Sequence, residues 1–186
     1  LRLAFKRHAT SKIQKLEDLN SIQTLGFRGE ALPSIASVSM VTARSSEGDS
    51  NGFEIKINGS EEEYLKPAAG LTGTTMRVQN LFYNTPARRK FLKKPETEQA
   101  VINSIMRRFM LSRSEVGFRM ISNNKTVYDV PSQNLPDRIN AIYGSGYKNG
   151  ILPVDLKKDP YTVNGFAGNL SLVKKRRGEQ YIFING

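Results

Sequence analysis

Leu25-Gly26-Phe27-Arg28-Gly29-Glu30-Ala31-Leu32 and Leu81-Phe82-Tyr83-Asn84-Thr85-Pro86-Ala87-Arg88-Arg89-Lys90-Phe91 are the two stretches of this 186-residue chain that composition and periodicity do not account for. In the first, two glycines stand ahead of Glu30-Ala31-Leu32 and Ile35-Ala36, residues of good helix propensity, so the spacing predicts a helix from about Gly29 to Ser37. The amides of Gly26 to Gly29 then converge at the helix N-terminus, where unpaired N–H groups and the helix dipole favour an anion. Taken alone, a Gly-x-x-Gly pair is also the mark of an ordinary turn. Upstream, His8-Ala9-Thr10-Ser11-Lys12-Ile13 sets two hydroxyls and an ammonium in consecutive positions. These are either donors to phosphate oxygens or a helix N-cap, Thr10 or Ser11, on a solvated loop. In the second stretch, a residue before proline is held extended and Pro86-Ala87 suits a helical turn, so Asn84-Thr85-Pro86-Ala87-Arg88 reads as a structural connector without catalytic chemistry.

Charge favours a polyanionic partner. Lys and Arg total 28 against 17 Asp and Glu, a formal net charge of +11. The excess is uneven: residues 44–63 are acidic and read as a solvent-facing hairpin, whereas residues 88–113 are rich in bases. Arg107, Arg108 and Arg113 fall in the last turns of a predicted helix, where cations complement the dipole. Lys174, Lys175, Arg176 and Arg177 fall in a predicted loop between two strands, where side chains can reach a phosphate backbone. With no cysteine, disulfide frameworks and thiolate metal sites are excluded, and the single histidine, His8, cannot build a metal site alone. No apolar run approaches membrane-spanning length and no secretory segment opens the chain, so no membrane role is expected.

Alternation predicts strands over Val38–Arg44, Gly52–Ile57 and Thr74–Asn80, separated by turn-formers at 47–51 and 58–60 and forming an antiparallel sheet with one covered face. Pro95 with Glu96 and Glu98 opens a long helix to about Arg113. Its stripe of Val101, Ile102, Ile105, Met106 and Phe109 is expected to be core. Val116–Ser122 and Thr126–Val130 flank Asn123-Asn124, a hairpin signal. After the break at Pro131–Pro136, a short helix from Asp137 to Tyr143 closes at Gly144, and Ile151–Leu156, Tyr161–Leu172 and Gln180–Asn185 read as strands.

His8-Ala9-Thr10-Ser11-Lys12, Gly26-Phe27-Arg28-Gly29-Glu30-Ala31-Leu32, Gly73-Thr74-Thr75 and Phe82 to Phe91 follow one another in the order and approximate spacing of the MutL family of DNA mismatch-repair proteins. The resemblance covers nearly the whole chain. The Asn84–Arg88 run resembles MutL and its eukaryotic homologues rather than the wider GHKL ATPases, and this specificity points to a fixed contact between sheet and loop. The resemblance implies an α+β fold: residues 1–133 form the C-terminal part of a GHKL-type α/β sandwich, a mixed or antiparallel sheet with helices on one face. Residues 134–186 begin a truncated, ribosomal-S5-like transducer domain. It further implies that Thr10, Ser11 and Lys12 belong to a lid over the nucleotide. Gly26, Phe27, Arg28, Gly29 and Leu32 wrap the triphosphate, and Thr74 lies near the adenine.

The cofactor implied is ATP with Mg. The partners implied are DNA bound without sequence preference, the mismatch-recognition protein MutS, downstream repair factors and a second subunit of a homo- or heterodimer. The compartment is the cytoplasm in bacteria or the nucleus in eukaryotes. The family's catalytic glutamate, its magnesium-holding asparagine and its Asp-x-Gly-x-Gly stretch are expected before Leu1, and its phosphate-reaching lysine beyond Gly186, both ends being read as cuts. The chain alone is therefore expected not to hydrolyse ATP, and it supplies no catalytic residue or metal ligand. The alternative function is a non-enzymatic DNA-binding or scaffolding module that kept the fold and lost the ATPase. The presence of Thr10-Ser11-Lys12 and both glycines favours the ATPase reading.

Overall fold

A computed structural model describes residues 1–13, 24–48, 52–70, 72–175 and 178–184. The chain divides into two compact units, Leu1–Leu92 and Lys93–Gly186, and the expected domain border at 133/134 falls inside the second.

In the first unit a 3-10 turn (Arg2–Phe5) and helix α1 (Ala31–Ala36) accompany four strands: β1 (Met40–Ser46), β2 (Phe53–Asn58), β3 (Glu61–Pro67) and β4 (Gly73–Gln79). They form one antiparallel sheet in the order β3-β2-β1-β4. Val41 and Ala43 of β1 stand opposite Ile57 and Ile55 of β2, so the pleat puts all four on one face. That face is buried with Ala36 of α1 and covered further by Phe5 and Leu65. Burying a side chain such as Ile55 stabilises the unit by about 2 kcal/mol. The cover stops short of β4, where Met76 and Val78, opposite Ala43 and Val41, stay exposed.

Strand β3 is the element that alternation misses. Glu61-Glu62-Glu63 has poor strand propensity, yet tertiary pairing neutralises it. Glu63 meets Lys56 Nζ at 2.6 Å, Glu62 accepts from Arg2 Nε at 2.7 Å, and Glu54 on the neighbouring strand accepts from Tyr64 Oη at 2.9 Å. These hydrogen bonds hold the carboxyls of Glu54, Glu62 and Glu63 below the usual carboxylate range. The β2–β3 turn needs positive φ at Gly59 (58°) and Ser60 (81°).

The second unit contains helix α3 (Pro95–Ser112), the hairpin β5 (Phe118–Ser122) and β6 (Lys125–Val130), helix α4 (Leu135–Tyr143), and the hairpin β7 (Ile151–Lys158) and β8 (Tyr161–Gly168). Helix α2 (Pro86–Lys90) ends the first unit. Asn123 and Asn124 take φ of 48° and 61° between the paired Ser122 and Lys125, the geometry that their hairpin signal demands. Asn134 caps α4 by accepting from Asp137 N at 2.9 Å, and Gly144 ends it at φ 96°.

Three expectations are corrected here. The α3 stripe is not buried core: Val101, Ile102, Ile105 and Phe109 are between 38% and 47% exposed and Met106 is half-buried, while Met110 and Leu111 are buried. Within this unit, burial on α3 concentrates at its C-terminal end, where α4 packs and the loop leading to β5 folds back. Arg107 and Arg108 lie above the last turn of α3, which carries no base, and Arg113 follows the helix as its C-cap. The segment Gln180–Ile184 makes no strand; Tyr181 instead accepts a hydrogen bond from Tyr143 Oη at 2.8 Å.

Arg138 of α4 is fully buried and forms no ion pair among the described residues. Its guanidinium donates to the carbonyls of Met110, Ser114, Val116 and Pro131 at 2.7 to 2.9 Å and lies 5.6 Å from the Phe118 ring centroid. Desolvation pushes its pKa down, with the Glu115 charge opposing. The planar fork thereby ties the end of α3, the loop after it and the end of β6 to α4. Arg138→Met leaves four carbonyls without their donor and is expected to destabilise the second unit by about 3 kcal/mol in urea unfolding. Arg138→Lys, with three donors, is expected to recover only part of the loss; a wild-type midpoint for either variant would contradict the assignment.

Candidate functional site

The two glycine-bearing and hydroxyl-bearing segments meet through backbone. Gly29 has φ 69°, and a Cβ there would stand 2.5 Å from the carbonyl oxygen of Ala9. Only glycine allows both the conformation and the approach. Gly26 is different: nothing lies within 4 Å of its would-be Cβ. Its neighbours Phe27 and Arg28 are exposed and Leu32 is half-buried.

Glu30 fastens the contact. Its Oε1 accepts from the His8 backbone N at 3.2 Å and lies 2.8 Å from His8 Nδ1. The amide it bonds is that of His8, across from its own loop. His8 itself takes φ 59°. Thr10 Oγ1 accepts from Lys12 N at 3.2 Å, a local hydroxyl turn, and Ser11 and Lys12 are exposed.

Helix α1 begins at Ala31, two residues later than its expected start, with Glu30 in the N-cap place. Pro33 is tolerated because the amides of the first turn have no intrahelical acceptor. At the other end the connector acts as a clamp. Asn84 Nδ2 donates to Ser37 O at 2.9 Å, Phe82 N donates to Val38 O at 2.7 Å, and Tyr83 Oη donates to Asn58 Oδ1 at 2.5 Å. This is the fixed contact between sheet and loop that the motif's specificity suggested.

Thr74 stands apart from these loops. It is the second residue of β4, opposite Ser45, with the two hydroxyls 2.8 Å apart, and lines an open cleft of about 460 Å³ with Arg44, Ser46, Gly70, Thr72 and Thr75. Along β1 this lies five residues from Met40, roughly 17 Å at strand rise. In the second unit, Lys174 Nζ is 3.8 Å from Glu179 and 5.6 Å from the Tyr147 ring centroid, and the Tyr147 hydroxyl bonds Glu179. These contacts, Tyr147 foremost, raise the Lys174 pKa, and Lys175 is exposed. The basic run follows a 3-10 turn (Leu170–Leu172) rather than a strand. Arg176 and Arg177 lie outside the described residues. Among the described residues no group of His, Asp and Glu side chains is placed to hold a metal ion, and no helix is long and apolar enough to cross a membrane.

The chain is 46% identical over 184 residues to the DNA mismatch repair protein MutL of Clostridium acetobutylicum, covering 98% of this chain and 30% of that protein. It is 42% identical over 186 residues to MutL of Parabacteroides distasonis, with 100% and 30% covered. The chain belongs to the MutL family. It spans about 30% of the length of these MutL relatives. No protein-family model matches the chain. Among solved structures it is similar to the Aquifex aeolicus MutL ATPase domain complexed with ADP, at a TM-score of 0.62 and 26% identity over 77% of this chain and 56% of that one. A second structure of the Aquifex aeolicus MutL ATPase domain, at a TM-score of 0.62 and 24% identity, covers 83% of this chain and 57% of that one and supports the fold. The α+β class with antiparallel sheets is that of these MutL ATPase domains.

The two glycines of this chain are thus unequal. Gly29→Ala is expected to cost about 1–2 kcal/mol for the left-handed backbone alone, with the clash against Ala9 added. Gly26→Ala, whose Cβ meets open space, is expected to stay within about 1 kcal/mol. Thermal unfolding of the two variants side by side checks this, and equal losses would contradict it.

Proposed function

We propose that residues 1–133 of this chain contribute the phosphate-facing part of an ATP site in a mismatch-repair ATPase, and that residues 134–186 begin its transducer domain. The observation that carries the reading is the packing of Ala9 on Gly29. It supports a single two-segment clasp in which the Thr10-Ser11-Lys12 lid and the Gly26–Gly29 loop act on one anion. The bare Gly29 backbone lets the Ala9 carbonyl approach and so joins the two segments, and the exposed Gly26 leaves backbone free for close approach of a ligand. Lys12 and Arg28 supply mobile charge to phosphate oxygens, and Leu32 supports the loop from the first turn of α1. Thr74 serves the base end of the nucleotide, across the sheet from the clasp. ADP bound to the similar Aquifex aeolicus ATPase domain supports a nucleotide as the ligand.

Phosphoanhydride hydrolysis requires a positioned water, a base and a metal that offsets charge on the phosphate oxygens. Glu30, the one acid inside a nucleotide motif, is engaged by His8. The base and the magnesium ligands are therefore assigned to parts of the MutL protein outside this chain. Nucleotide-driven closure of a dimer, coordination with MutS and later repair factors, and sequence-independent DNA contact by Lys174, Lys175, Arg176 and Arg177 belong to the same proposal. Of these bases, Lys174 must exchange Glu179 for a phosphate in order to bind.

In the full-length protein, a nonhydrolysable ATP analogue is expected to slow amide exchange at residues 8–13 and 24–29; unchanged exchange there would sink the nucleotide reading. The isolated 186 residues are expected to show no multiple turnover of ATP. Sustained phosphate release by highly purified chain would overturn the assignment of the base to other parts of the protein.

A further inference from the structure

The connector motif has geometry that the nucleotide reading leaves unused. The last carbonyls of α1, from Pro33 to Ala36, are met locally by the amides and hydroxyls of Ser37, Val38 and Ser39. The next two carbonyls, of the C-cap Ser37 and of Val38, are met by donors arriving from after β4: the Asn84 amide on Ser37 O at 2.9 Å and the Phe82 backbone N on Val38 O at 2.7 Å. Delivering both donors requires a tight turn, and Asn80 and Phe82 accordingly take φ of 53° and 62°. For Phe82, a bulky residue, this is a strained conformation that the surrounding bonds must hold. Tyr83 braces the turn from the other side through Asn58, beside Gly59, whose would-be Cβ would stand 2.7 Å from the Tyr83 hydroxyl.

At its opposite end, seven residues before Ser37, the same helix carries Glu30, the residue that holds His8 and the Ala9–Gly29 contact. Helix α1 is thus bonded at both ends, and at about 1.5 Å per residue it is only about 9 Å long. A short rigid element fixed at one end sets the position of the other. We propose that Asn84 is a positioning residue for the nucleotide clasp: by fixing the end of α1 at Ser37 it sets where Gly29 and Glu30 stand, without itself touching the nucleotide. This rests on the reading of Thr10–Lys12 and Gly26–Gly29 as a phosphate clasp. The chemistry explains the residue type. Asparagine supplies a short, neutral side-chain donor aimed at a helix-end carbonyl; aspartate has the same shape and can only accept when ionised.

The test is ADP affinity of the full-length protein, measured by calorimetry, for wild type, Asn84→Asp, Asn84→Ser and Tyr83→Phe, with amide exchange followed in each. Asn84→Asp is expected to weaken ADP binding about tenfold, the equivalent of one lost hydrogen bond. Exchange is expected to quicken at residues 26–35 while the β1–β2 amides stay protected. Asn84→Ser, which keeps a donor, is expected to regain part of the affinity, and Tyr83→Phe to fall between wild type and Asn84→Asp. If wild type fails to bind ADP, the nucleotide reading itself falls. If wild type binds and Asn84→Asp binds equally well, or if exchange quickens throughout the sheet and not at the clasp, the positioning role is overturned.

Discussion

The first unit depends on the missing side chain at position 29. Because Gly29 has no Cβ and accepts φ 69°, the carbonyl of Ala9 can rest against its backbone. That approach brings His8 to Glu30, so two segments separated along the chain become one structural feature. A methyl group at this point would push the segments apart and leave the Glu30 carboxylate without its partner. The arrangement is local and made largely of backbone, which suits a ligand recognised by charge and shape more than by side-chain chemistry.

Helix α1 carries this feature onto the sheet. Its Ala36 is buried against Val41, Ala43, Ile55 and Ile57, and its end is held by the turn that follows β4. Helix α1 therefore rests on a packed apolar base, and the β4 edge of the same face stays open. Charge follows a similar division. The acidic β3 run is matched within the unit by Arg2 and Lys56, so the surplus of base falls on other segments, among them α2 and the stretch from Lys174.

The parts of the fold that were legible in the sequence are those fixed by local chemistry. Asn123-Asn124 demands positive φ and made a hairpin, and Gly144 closed a helix; the Asn134 cap, which starts that helix two residues early, was not read. What could not be read depends on partners distant in the chain. Glu61–Glu63 looks like a solvated charge run until Arg2 and Lys56 are placed beside it. Arg138 looks like a surface base in Leu135-Pro136-Asp137-Arg138, and only the four converging carbonyls make it the centre of the second unit. The stripe of α3 shows the limit of periodicity, which identifies an apolar face and not what covers it. Of the site, the motifs and their order were visible at once. The His8–Glu30 link was not, although a single acid inside a phosphate-loop motif was a signal that it had a cation or an amide to meet.

The most direct measurement is a titration of the intact MutL protein, labelled with 15N-glycine, with ADP, following the amide shifts of Gly26 and Gly29. A phosphate clasp predicts that both move along one saturable isotherm, and that Gly29→Ala weakens ADP binding far more than Gly26→Ala does. Unmoved glycine amides at saturating ADP would contradict it and leave the Ala9–Gly29 packing as a structural turn alone.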